Sequence, residues 1–276
     1  MAHVVVGVGV PHNPYFPRMA MEDSQARIVG DFNTVREALE AAEPDILLIY
    51  TSDHFVNFFY DKLPAFCIAT AEHADGPHEI SRDMPWYSTK VAAAFGKGLL
   101  GYGLKSNFDL AGAGELRLDH STLVPLHFLT PDMAIPIAPV FINGLAHPLP
   151  NADRCHQLGR MVREYIEQWD DDARVGVIAS GSISLEVGGP QMGWVDADWV
   201  NRVVDLMRHG KSAELVAEST TEQLIRAGNA SGELLNWIAM LGTLGNVQPT
   251  FLEANMEPAE SPRSAQTFGI WEVDAG

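Results

Sequence analysis

The sequence predicts a single α/β domain over residues 1–276, with a central mixed sheet flanked by helices and its site at the strand ends. Three observations carry that expectation. Short apolar runs of strand length alternate with longer amphipathic stretches. Polar residues, histidines among them, stand where those runs end. No repeat of fixed period, low-complexity run or linker divides the chain.

HVVVGVGV at 3–10 reads as a buried strand that ends just before Pro11 and His12. FNTVREALEAAE at 32–43 reads as an amphipathic helix capped by Asp31 or Asn33. A second buried strand covers 45–51 and again runs towards a histidine, His54. FCIAT at 66–70 predicts a third strand, followed by a polar loop through AEHADGPHEISRDMP. A helix is expected over 86–100. AIPIAPVFING is strand-like, but its prolines suit an edge or a strand start. Residues 151–169 predict a helix with arginines and glutamates on its wet face. RVGVIASGS reads as a short buried strand entering a glycine-rich loop, and helices dominate from Ala197 to Gly242.

Composition bounds the function. Hydrophobic residues at 46% and charged residues at 20% describe a globule with a sizeable core. Asp and Glu outnumber Lys and Arg by 36 to 18, for a formal charge of -18. That balance argues against nucleic acid and anionic membranes as partners, and an anionic substrate would need a local basic or donor-rich patch. Cys67 and Cys155 are too few for a disulfide framework and fit a reduced, cytoplasmic setting. No secretory leader is expected at the N-terminus, and the apolar runs are too short to span a bilayer.

Three residues concentrate the chemistry. His12 and His54 follow strand-like runs, and Glu233 lies in SGELLNWIAMLG, where Trp237 and Met240 share its helical face. A carboxylate on an apolar face is costly unless a cation or hydrogen-bond donors receive it. Two imidazoles and one carboxylate form the facial triad of non-haem Fe(II) oxygenases. Blander roles compete at each position. A lone strand-end histidine is more often structural, Glu233 would complement a helix dipole if Ser231 or Asn229 capped it, and His120 would hydrogen-bond backbone. The glycines at 7 and 9 lack the third glycine of a dinucleotide loop, and neither G-x-S-x-G nor HExxH occurs.

Four segments together give a family resemblance. VPHNP, SDHFVNFFYDKLPAFCIA, LDHSTLVPL and GELLNWIAMLG stand in the order and spacing of the LigB superfamily, the class III extradiol ring-cleaving dioxygenases. PVFINGLAHPLP is similar to its dihydroxyphenylpropionate dioxygenases. The resemblance spans roughly the whole chain. It implies Fe(II) on His12, His54 and Glu233, with His120 as the catalytic histidine beside the bound substrate. It implies a small aromatic diol and O2 as reactants, with a protocatechuate-like diol favoured. A homo-oligomer is the default for such a chain, with a small companion subunit as an option. Phe59 and Tyr60, close after His54, are candidates for a substrate wall, as are Phe55 and Phe58. Ser182, Ser184 and Glu186 are candidates on the glycine-rich turn. In one place the chain departs from the family. Members carry a second active-site histidine in that turn, and by register from Gly189-Pro190 the position is Leu185. The departure motivates a second reading, a non-catalytic subunit that stabilises an active partner. Retention of all three ligand candidates weighs against it.

Overall fold

Strand β1 (His3–Val10) is buried along all but its first two residues, as a strand between two helical layers must be. The computed structural model describes residues 1–79, 83–256 and 266–273. After β1 come helices α1 (Phe16–Glu22) and α2 (Arg27–Ala41), then the fully buried strand β2 (Ile46–Thr51). Strand β3 (Phe66–Ala69) precedes an antiparallel pair, β4 (His73–Gly76) with β5 (Tyr87–Lys90). Helix α3 (Ala93–Lys105), the short strand β6 (Ala111–Ala113) and helix α4 (His120–Leu129) follow. Next are β7 (Ile137–Ile142), α5 (Ala152–Gln168) and β8 (Arg174–Ser180). Helices α6 (Ala197–Arg208), α7 (Ser212–Glu218) and α8 (Thr221–Arg226) lead to a 3₁₀ turn at Ser231–Glu233. Helix α9 (Leu234–Leu244) continues from that turn, and strands β9 (Phe251–Asn255) and β10 (Gln266–Glu272) complete the described fold.

Among the described residues the main sheet has the order β6-β3-β7-β2-β8-β1-β10-β9. Its centre is parallel, β7 with β2, β2 with β8 and β8 with β1, and antiparallel pairings flank that block, so the sheet is mixed. Successive side chains of β2 alternate between two apolar cores, Leu48 and Tyr50 on one face, Leu47 and Ile49 on the other. Helices α1, α2 and α4 cover one face, through Phe16, Phe32, Leu39 and Leu123. Helices α3 and α5 to α9 cover the other. The parallel strands β2, β8 and β1 end level, with Val10 opposite Ser180 and Tyr50 opposite Ala179, so the loops leaving them converge.

Helix α9 is buried at every residue and lies against α5. The two helices approach closely because glycines face each other's backbone. A Cβ on Gly159 would collide with the Ala239 carbonyl oxygen, and one on Gly242 with that of His156.

Several expectations are corrected. The second helix starts at Arg27 rather than residue 32, because Ile28, Phe32, Val35 and Leu39 form one buried stripe; neither Asp31 nor Asn33 caps it. Residues 86–100 split into β5 and α3, and the expected polar loop contains β4; pairing between the two strands overrides local propensity. The proline-bearing strand β7 is interior. Its antiparallel partner β3 runs only from Phe66 opposite Ile142 to Ile68 opposite Val140, so Pro139 meets no registered partner on that side. Strands β6, β9 and β10 and helices α1 and α4 were not expected from the sequence.

Gly159→Ala should therefore cost about 1–3 kcal/mol, the usual scale for overpacking a tight contact. Urea denaturation should show a lower midpoint at unchanged slope.

Candidate active site

His12 stands just beyond Pro11 at the end of β1, His54 follows β2, and Ser180 ends β8. Above these strand ends stand the 3₁₀ turn carrying Glu233 and the first residue of α4, His120. Glu233 is 1% exposed and His12 is 4% exposed, so these two are cut off from bulk water. Glu233 Oε1 lies 3.1 Å from His12 Nε2 and 3.7 Å from His54 Nε2. Glu233 Oε2 accepts from the Ser182 backbone N–H at 2.7 Å.

Gly181 makes this approach possible. Its φ of +148° is a region open to glycine, and a Cβ there would lie 2.6 Å from the Glu233 Cβ. Two side chains at the start of α9 tie the turn to the same strand end. Asn236 Nδ2 donates to the Ser180 carbonyl at 2.8 Å, and Trp237 Nε1 donates to the Gly181 carbonyl at 3.0 Å.

Hydrogen bonding fixes the His12 tautomer. The Ser180 hydroxyl gives its one proton to the Ser121 carbonyl, which can only accept. His12 Nδ1, 2.9 Å from Ser180 Oγ, must then be the N–H donor, which leaves the Nε2 lone pair directed at Glu233. Two acceptors face each other at 3.1 Å in a buried site. Only a cation between them, an added proton or a metal ion, removes the repulsion.

His54 is held differently. Its backbone N–H donates to Asp119 Oδ2 at 2.7 Å, and its Nδ1 lies 3.3 Å from the same oxygen, near enough for charge pairing but without hydrogen-bond alignment. Asp119 also caps α4 by accepting from the Ser121 N–H. Burial disfavours a charged His54, but Asp119 and Glu233 outweigh it and push its pKa up to about 10. Burial likewise works against ionised Asp119 and Glu233, yet both stay well below the usual carboxylate range, Asp119 through His54 and Glu233 through His12 and His54.

His120 completes the cluster. Its ring centroid is 4.1 Å from that of His54 and 5.4 Å from that of His12. Both its backbone N–H and its Nδ1 reach Glu79 Oε1, the Nδ1 at 2.8 Å. A carboxylate can only accept, so Nδ1 carries the proton and the other ring nitrogen is the one left to act. Burial lowers the His120 pKa, as does the charge of His54, against the pull of Glu79 and Asp119. Ring nitrogens of His12, His54 and His120 lie within 4.8 Å of one another, and with Glu233 they form a donor set that could hold a metal ion. Two imidazoles and a carboxylate, each fixed by a partner behind it, are chemically suited to a divalent transition metal.

The cluster opens into a cavity of about 470 Å³. Of the sequence candidates, Ser182 and Glu186 line it, together with Leu185 and with Phe55 after His54. Phe59 and Tyr60 lie outside it, 51% and 78% exposed. Ser184 is buried in the neighbouring loop, donating to the Ala227 carbonyl and accepting from the Asp196 N–H. Sequence reading missed Asp119, Glu79 and Ser180. Asp119 had a signal, an aspartate just ahead of an apolar run as helix caps are, whereas Glu79 had none.

Residues 7–269 match the family described as the catalytic LigB subunit of aromatic ring-opening dioxygenase. A 2,3-dihydroxyphenylpropionate/2,3-dihydroxicinnamic acid 1,2-dioxygenase of Klebsiella pneumoniae is 26% identical over 274 residues, covering 83% of this chain and 84% of that protein. One of the same name from Photorhabdus laumondii is 33% identical over 175 residues, 63% of this chain and 53% of that protein. Among solved structures, the uncharacterized protein JW3007 from Escherichia coli K12 superposes with a TM-score of 0.60 at 12% identity, over 96% of this chain and 99% of that one, which shows a shared fold. With a family match that runs from β1 into β10 and takes in every residue of the cluster, the chain belongs to the LigB family of extradiol dioxygenases and is a ring-cleavage enzyme.

Proposed function

We propose that the chain holds Fe(II) through His12, His54 and Glu233 and cleaves a catechol-type aromatic diol beside its hydroxyls with O2. The opposed acceptors, His12 Nε2 and Glu233 Oε1, are the observation that supports this most directly. Names of the Klebsiella and Photorhabdus relatives support a catechol-type ring, and a cavity of about 470 Å³ suits a single substituted ring. When bound, the iron supplies a Lewis-acidic centre with open positions at which diol and O2 meet.

The chain's own groups then have distinct tasks. Ser180 and Asp119 hold the His12 and His54 rings in orientation. Phe55, Leu145 and Leu185 present apolar walls that exclude water. His120, with Nδ1 held by Glu79, offers its free nitrogen as base for a diol hydroxyl proton and returns that proton later as acid. Leu185 carries no proton, and Glu186 Oε2 accepts from the Asn229 N–H at 2.8 Å, so proton transfer falls to His120. A protocatechuate-like diol meets the ring requirement. Cys67 and Cys155, both free and buried, support the reduced cytoplasmic setting.

The reading is tested by anaerobic Fe(II) loading followed by oxygen uptake with a panel of catechols and dihydroxypyridines. Oxygen consumption at full iron occupancy is expected, and none with any diol would overturn the proposal. His120→Ala should lower turnover by about two to four orders of magnitude, the scale of a sole general acid/base, with iron content unchanged by elemental analysis. His54→Ala and Glu233→Ala should lose iron and activity together. Metal uptake should also depend on pH. In the metal-free chain His54 keeps its proton up to a pKa of about 10, above its ordinary value, and the metal must displace that proton. Calorimetric titration should show affinity rising with pH between 6 and 9, by up to about tenfold per unit.

A further inference from the structure

The cavity lining is unbalanced in charge. Beyond the metal-binding cluster its charged residue is Glu186, and among the described residues no Lys or Arg lines it. The donors nearest Glu186 are already committed, which leaves the Asn13, Tyr15 and Ser182 side chains as the neutral polar groups of the lining. Asn229 Nδ2 donates to the Val187 carbonyl and Asn229 Oδ1 accepts from the Val187 N–H, while the Asn229 N–H serves Glu186 itself. The Ser182 N–H serves Glu233. Leu145, Leu185, Val187 and Met192 supply apolar surface instead. Val187 and Met192 remain 52% and 46% exposed at its edge, apolar area left open where a substituent would leave the ring.

We propose that this cavity takes an aromatic diol whose ring substituent is uncharged and apolar, in preference to a carboxylated diol, with Glu186 as the residue that sets the preference. The proposal rests on ring cleavage at the His12, His54 and Glu233 centre. Glu186 repels an anionic substituent that passes it, and Leu145, Leu185, Val187 and Met192 give that substituent no hydrogen-bond partner in exchange for its lost hydration.

Matched pairs test it: 3-propylcatechol against 3-(2,3-dihydroxyphenyl)propionate, and 4-methylcatechol against protocatechuate. For each, kcat/KM is measured with the iron-loaded enzyme, and binding is measured anaerobically by calorimetry. The alkyl member should be favoured by about tenfold or more in both measurements, the scale of one close like-charge contact. Glu186→Gln, which keeps an acceptor for the Asn229 N–H, should narrow the gap by about threefold or more. Equal or better use of the acids overturns the proposal, as does a gap that Glu186→Gln leaves unmoved. Arg82 lies outside the described residues, so Arg82→Ala is measured in parallel; an acid preference that this variant abolishes would place the selecting charge there and overturn the proposal equally. Absence of turnover with every diol counts against ring cleavage itself, and the binding ratios then still decide the preference.

Discussion

A carboxylate buried opposite an imidazole lone pair is the constraint around which the molecule is arranged. Glu233 has almost no contact with water, and in the neutral ring, with Nδ1 donating to Ser180, the His12 Nε2 that faces it is an acceptor. Such a pair is repulsive in a medium of low dielectric, so the site stores a demand for positive charge. The surroundings keep that demand in place rather than relieve it. One backbone N–H, from Ser182, supports the far oxygen of Glu233. The near oxygen is left for the cation.

Three successive residues at the end of β8 serve the centre in three ways. Ser180 sets the tautomer of His12, Gly181 clears the space that Glu233 occupies, and Ser182 steadies its carboxylate. Asn236 and Trp237 then clamp α9 to that strand end. The glycine contact between α5 and α9 fixes the height of the helix from behind. Packing and backbone conformation are thus one problem with one solution, which explains how a buried carboxylate stands at the head of a helix buried at every residue.

Much of this was legible in the residues. Apolar runs such as VGVIAS and ILLIY could only be strands covered on both faces, and that alone implied a helix-flanked sheet with loops gathered at one end. His12, His54 and Glu233 were legible because histidine at two strand ends and glutamate on an apolar helix face break the local pattern. What failed to show depended on distant partners. Residues 86–100 have helical composition, yet Tyr87–Lys90 pairs with His73–Gly76. Pro139 argued for an edge, but the neighbouring strand simply stops short of it. Glu79 stands in a polar stretch with no periodicity to mark it, and its role exists only because the chain brings it to the start of α4. Phe59 and Tyr60 misled for the opposite reason: closeness to His54 in sequence did not place them in the cavity.

The placement of β1 in the sheet has a consequence for biosynthesis. Its neighbours are β8 and β10, both from the distal half of the chain. A ribosome makes this strand well before either of its partners. This segment, a run of valines and glycines, therefore has no native edge to join until β8 at Arg174–Ser180 has emerged. Local helices such as α2 form on their own, but the sheet closes only at the end of translation, and the histidine that follows β1 waits throughout for the glutamate that completes its centre. For this chain, protection of the nascent N-terminal strand from wrong pairing is part of the cost of building an active site from both ends of the sequence.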